Sequence, residues 1–246
     1  MKKRVKKHVP NAITCANLFS GCVGIVFAVQ GDLIGAAYAV FLAAIFDFFD
    51  GFAARVLQSF SGIGKDLDSL ADVVSFGVLP SAILYQLFQQ APQLGSISQF
   101  LNFAAFLIAV FSMLRLAKFN NDTRQSEIFI GLPTPANAIL IASFPMVIDQ
   151  RPALAQYILN PYGLAVFVGV MCALLVAELP LMSLKFKNKD FNKNIYRYLL
   201  LLSSAILILF FKFVAVPVVI FIYIALSIVQ FKIANNNVVS SPKKEV

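Results

Sequence analysis

The chain has 246 residues, 59% of them hydrophobic and 13% charged, with a net charge of +8 and a mean hydropathy of +0.81. A soluble domain carries about 25% charged and about 45–50% apolar residues, so this composition excludes a soluble globular enzyme, a disordered chain and a disulfide-built secreted module. The Lys and Arg fall in short clusters between long uncharged runs, the pattern of loops flanking membrane spans and not of a nucleic-acid-binding face.

Taken in chain order, the basic leader Met1–Lys7 precedes a stretch without charge from Val9 to Gly31. That stretch exceeds the roughly 7–15 residues of a signal-peptide core, so it reads as an uncleaved first span. Eight spans are predicted, at 12–30, 33–54, 66–89, 99–118, 133–149, 161–184, 196–212 and 214–232. Each is near the roughly 17–25 residues that a bilayer crossing requires. Gln89–Gly95 supplies the break between the third and fourth. Pro133, Pro135 and Pro145 interrupt the fifth, Glu178 falls inside the sixth, and the last two meet around Lys212 in a tight hairpin. The fold class is therefore all-α, a polytopic transmembrane helical bundle. Residues 1–234 form one integral membrane domain, and 235–246 form a polar, disordered tail. With an even number of spans and both termini in the cytoplasm, every Lys and Arg except Arg151 and Lys212 lies inside, as the positive-inside rule requires.

Chemistry has few residues to draw on. Cys15, Cys22 and Cys172 lack C-x-x-C spacing, and the single histidine, His8, is in the leader, so neither a thiolate zinc site nor a Ser-His-Asp triad is supported. Four aspartates stand out instead. Asp47 and Asp50 end one apolar helix at i, i+3, and Asp68 and Asp72 begin the next at i, i+4, so each pair shares a helix face. Adjacent spans joined by a short loop bring the two pairs together near the cytoplasmic surface. An unpaired Asp at a helix centre costs about 2.5–3.5 kcal/mol on insertion scales, and Arg55 alone cannot neutralise four. Two divalent cations can. Carboxylate-only ligands suit hard ions, Mg2+ or Mn2+ with Ca2+ as a non-productive substitute, and such a pair serves displacement at phosphorus. Between the pairs, Gly51 and Ala54 remove bulk where backbone meets a large ligand, and Arg55 offers a fork suited to phosphate.

The stretch Asp47-x2-Asp50-Gly51-x2-Ala54-Arg55-x8-Gly64-x3-Asp68-x3-Asp72 resembles the full signature of the CDP-alcohol phosphatidyltransferases. Pro10–Asn17, Asp66–Val78, Leu114–Asn120 and Gly131–Ala138 are similar to its phosphatidylserine synthase branch, which usually has Glu where Asp66 stands. Together these segments cover roughly residues 10–140, and the last three spans match in hydrophobicity alone. The resemblance implies that Asp47, Asp50, Asp68 and Asp72 hold the metals and that Asp72 also accepts a proton. It implies that Gly51, Ala54, Arg55, Ser61 and Gly64 contact the CDP-linked donor, with Asn11 and Thr14 at its edge. It further implies a homodimer.

The function expected is transfer of a phosphatidyl group from CDP-diacylglycerol to the hydroxyl of L-serine, releasing CMP, by a multi-pass protein of the plasma (inner) membrane whose active site faces the cytoplasm. Arg115, Lys118, Asn120 and Arg124 lie on the same side and are candidates for the serine carboxylate, or equally for anchoring at lipid headgroups. The same chemistry with glycerol 3-phosphate, inositol phosphate or another headgroup alcohol is the near alternative. A secondary transporter with an aspartate-lined ion path is the alternative from a different class. No nucleic-acid partner is expected.

Overall fold

Apolar runs of this length bury their backbone polar groups only by pairing them internally, and the chain does so as helices. The structure, a computed structural model, describes residues 2–59, 62–92, 100–122, 129–182 and 194–240. Helix α1 (Lys2–Val29) starts within the basic leader, ahead of the expected 12, and carries Pro10 inside it. Gly31, at φ +84°, turns the chain, and the Asp32 carboxylate accepts from the Gly35 amide at 2.8 Å to cap α2 (Leu33–Val56). The buried face of α2 is small: Ala36, Ala37, Ala39, Val40 and Ala43. That lets α1 lie close enough for Ser20 to donate to the Ala39 carbonyl at 3.0 Å.

The third helical stretch is continuous from 62 to 90: α3 (Gly62–Asp72), a π-helical segment (Val73–Val78) and α4 (Leu79–Gln90). It forms the centre of the bundle, with Phe76, Leu79, Ile83, Leu84, Leu87 and Phe88 fully buried. Pro80 has no amide hydrogen to return to the preceding turn, and the Phe76 carbonyl it leaves free accepts from the Ser112 hydroxyl at 3.5 Å. Ser112 lies in α5 (Leu107–Asn121), which a 3-10 turn at Asn102–Phe106 introduces. Then come β1 (Phe129–Ile130), α6 (Thr134–Gln150), the short α7 (Ala155–Ile158) and α8 (Pro161–Val176). The chain ends in β2 (Pro180–Leu181), α9 (Ile195–Phe211) and α10 (Ala215–Ser240). Helix α6 packs on α2, on the π segment and on α10.

The described residues are all-helical apart from one small sheet. Among them five helical stretches, 8–29, 33–56, 62–90, 102–121 and 195–231, are long and apolar enough to cross a membrane, or six if 152–158 and 161–176, bent by 71°, are one broken span. Lys212, at φ +51°, breaks the last stretch, and α9 packs against α10 across it.

Three features differ from expectation. Helix α8, in the place of the expected sixth span, stops at Val176, and Ala177–Leu179 leave the helix, so Glu178 is an exposed residue beyond α8 and not part of it. Pro180 explains the stop, since a proline disfavours helical geometry in the residue before it. The freed carbonyls of Leu174 and Leu179 accept from the amides of Leu132 and Gly131, both at 2.9 Å. Pairing of Phe129 with Leu181 and of Ile130 with Pro180 follows, a sheet that the hydrophobic pattern did not announce. Helix α10 also runs on to Ser240, into the stretch expected to be an irregular tail.

Candidate active site

Helices α2 and α3 are joined by a short connection, so the end of one and the start of the other sit at the same end of the bundle. Asp47, Asp50 and Asp68 each present a carboxylate oxygen within 4.8 Å of the other two. Asp50 is buried and Asp47 and Asp68 are half-buried. Thr14 of α1 lies 2.7 Å from Asp50 Oδ2, to which its hydroxyl donates, and 3.1 Å from the Pro10 carbonyl oxygen. Asp68 Oδ1 is buried and has no hydrogen-bond partner among the described residues. Converging carboxylates with an unsatisfied oxygen among them are costly without a cation, and an all-oxygen set of this kind suits a hard divalent ion.

Asp72 stands apart from the trio. It is buried, and its Oδ1 accepts a hydrogen bond of 3.3 Å from Asn17 Nδ2 of α1. It remains close enough to Asp47, Asp68 and Asp50 to interact with all three charges. The expected pair of pairs is thus a trio with a fourth carboxylate held separately from α1. The Asn17 carbonyl accepts from the Ser75 hydroxyl at 3.0 Å, which fixes α1 against the π segment directly after Asp72. A π turn commonly marks a functional site because it re-aims the side chains beside it.

Arg115 is the other charged residue brought inward. Only 5% of it is exposed; its guanidinium lies 5.8 Å from the centre of the Phe119 ring, and its Nε has no partner. It interacts electrostatically with Asp72 and with Tyr223 of α10. The remaining expected acceptor residues separate from it. Lys118 is exposed, and Asn120 is engaged with Ser69, donating to its hydroxyl at 2.7 Å, while its carbonyl takes a 2.8 Å bond from Lys65. Arg124 and Ser61 lie outside the described residues.

At the end of α2, where contact with the donor was expected, Arg55 is exposed and reaches back over Gly51, its Nη1 3.5 Å from where a Cβ would stand. Gly51, Ala54, Gly64 and Asn11 are half-buried. Asn17 is the residue that the spacing arguments passed over. It falls inside the Pro10–Asn17 segment, but a neutral amide in an apolar helix carries no signal until its partner is known.

The chain belongs to the CDP-alcohol phosphatidyltransferase family, whose model matches residues 7–181. Its relatives include the CDP-diacylglycerol–serine O-phosphatidyltransferase of Bacillus subtilis, 35% identical over 140 residues, 56% of this chain and 76% of the relative. The protein of that name from Helicobacter pylori is 38% identical over 134 residues, 54% of either chain. The archaetidylserine synthase of Methanothermobacter thermautotrophicus is 34% identical over 138 residues, 55% of this chain and 57% of the relative. The matches thus span little more than half the length of the latter two.

Proposed function

We propose that this membrane protein transfers a phosphatidyl group from CDP-diacylglycerol to the hydroxyl of L-serine, giving phosphatidylserine and CMP. The observation that carries the reading is the carboxylate trio of Asp47, Asp50 and Asp68, with its unpaired Asp68 oxygen, in a chain of the phosphatidyltransferase family. Relatives named for serine transfer favour serine over glycerol 3-phosphate or inositol phosphate as acceptor.

In this reading Asp47, Asp50, Asp68 and Asp72 hold two divalent cations, Mg2+ or Mn2+, which when bound offset the charge of the diphosphate and of the departing CMP. Gly51 and Ala54 leave room for the donor, while Arg55 lies over its phosphates and Thr14 braces Asp50 from the other side. Asn11, Gly64 and Ser61 complete the donor's edge. Asp72 takes the proton from the serine hydroxyl as its oxygen bonds to the diacylglycerol-linked phosphorus and the bond to CMP breaks. Arg115 binds the serine carboxylate, its guanidinium fork matching two oxygens. Lys118, Asn120 and Arg124 serve the approach at the membrane surface.

The bundle crosses the inner membrane with both termini in the cytoplasm and works as a homodimer, with residues 1–234 as one domain. Eight crossings require α6 and α8 to span as well, and α9 and α10 to count separately. At about 1.5 Å per residue, helices of 17 and 16 residues reach about 25 Å, a few ångströms short of a hydrocarbon core of about 30 Å. Flanking residues that reach towards the interface close that gap.

The test is CMP release by purified protein given CDP-diacylglycerol, Mn2+ and each acceptor in turn. Release with L-serine is expected, and its abolition in Asp72→Asn with the folded protein retained. Release with another acceptor only, or full activity in Asp72→Asn, overturns the assignment.

A further inference from the structure

Two buried polar atoms near Asp72 have no hydrogen-bond partner among the described residues, and they have opposite character. On one side is Asn17, 0% exposed, whose Nδ2 is spent on Asp72 while Oδ1 of the same amide has no donor. On the other is Arg115, whose Nε has no acceptor and whose charge interacts with that of Asp72. A buried acceptor left unmade is expensive. Here the expense is compounded, because the Asn17 oxygen and the Asp72 carboxylate crowd two electron-rich groups into one apolar region. A positively charged N–H donor between them would satisfy both. The set therefore offers an amide oxygen, a carboxylate and a guanidinium, which together complement a hydroxyl-bearing zwitterion.

We propose that Asn17 is a specificity residue: its Oδ1, together with Asp72, receives the ammonium group of the amino-acid acceptor whose carboxylate lies on Arg115. The inference rests on the proposed serine transfer and adds the element that reads the amino group. A site built to bond such a group discriminates against the analogue that lacks it. Asn17 also holds Asp72, so loss of rate alone is no test of the idea; discrimination is.

The experiment compares L-serine with 3-hydroxypropanoate, which keeps the hydroxyl and the carboxylate but has no amino group. KM for L-serine and Ki for 3-hydroxypropanoate as a competitor are measured by CMP release at saturating CDP-diacylglycerol and Mn2+, in the full chain and in Asn17→Leu. The variant is expected to raise KM for L-serine at least tenfold and to leave Ki for 3-hydroxypropanoate within about twofold, a pattern that a uniform loss of acceptor binding would not produce. Should the Leu variant fail to fold, Asn17→Ser, too short to reach the same position, is expected to give the same pattern. Parallel weakening of both molecules overturns the proposal, as does an unchanged KM for L-serine. A raised Mn2+ requirement with KM and Ki unaltered also overturns it, assigning the oxygen to a cation. Wild-type protein that releases no CMP with L-serine defeats the proposed function itself, whereas normal wild-type turnover with an unchanged KM in the variants defeats this inference alone.

Discussion

At the scale of single residues, the site is a problem of charge in an apolar setting. Three carboxylates converge within 4.8 Å, and Asp50 among them accepts from the Thr14 hydroxyl at 2.7 Å and from the Gly51 amide. Groups that orient a metal ligand without touching the metal are typically worth about 10–100-fold in affinity. Thr14→Val, close in shape and lacking the hydroxyl, is expected to raise the Mn2+ concentration for half-maximal CMP release about tenfold with little change in the maximum. A titration of activity against Mn2+ checks this. The aspartates were legible because acids at i, i+3 and i, i+4 in apolar helices are expensive and therefore conspicuous. Asn17 was not, since a neutral amide costs little in a sequence and acquires meaning only from the carboxylate opposite. The expected acceptor group of Arg115, Lys118, Asn120 and Arg124 was legible as a largely basic cluster, but which member points inward depends on helix rotation. Of the three described members only Arg115 is buried.

Among the elements, the junction of α1 with the π segment decides where Asp72 points. Gly21 makes it possible: a Cβ there would stand 2.4 Å from Ser75 Oγ and 3.0 Å from Ser75 Cα. Gly21→Ala forces the two backbones apart, and overpacking of this kind costs about 1–3 kcal/mol. A lower melting temperature in detergent and a disproportionate loss of CMP release are expected, because the shift loosens Asn17 from Asp72. Gly169→Ala in α8 is the control. It has open space around it, so the helix preference for Ala over Gly, about 1 kcal/mol, leaves stability unchanged or raised. Helix positions followed from runs of apolar residues, but the π segment and the β1–β2 pairing did not. Both sit where distant segments meet: the Phe76 carbonyl of the π segment accepts from Ser112, and the carbonyls of Leu174 in α8 and of Leu179 beyond it accept from Leu132 and Gly131.

For the whole molecule, cation binding couples to stability. A ligand that binds the folded state alone stabilises it by about 2.7 kcal/mol at one hundred times its dissociation constant, and here it also relieves repulsion among the carboxylates. Millimolar Mn2+ is expected to raise the melting temperature of the detergent-solubilised protein, and chelation to lower it and stop CMP release. The shift is expected to vanish in Asp47→Asn/Asp68→Asn. Orientation is testable in the same protein. In a background with Cys15, Cys22 and Cys172 replaced, Lys118→Cys is expected to react with an impermeant thiol reagent only from the cytoplasmic side, and Lys212→Cys only from the opposite side. Labelling of both from one side would refute the topology.

The sequence by itself settled the class of molecule, because 59% apolar residues with charge confined to short clusters have no stable soluble arrangement. It also singled out Asp47, Asp50, Asp68 and Asp72, through spacing that is local and therefore readable in one dimension. Tertiary structure alone decided how those acids group, with three converging and Asp72 accepting from an amide 55 positions away. It alone decided that Glu178 lies outside a helix and that Arg115 turns inward. Those outcomes depend on contacts between helices far apart in the chain, and the spacing of residues within a single helix contains no trace of them.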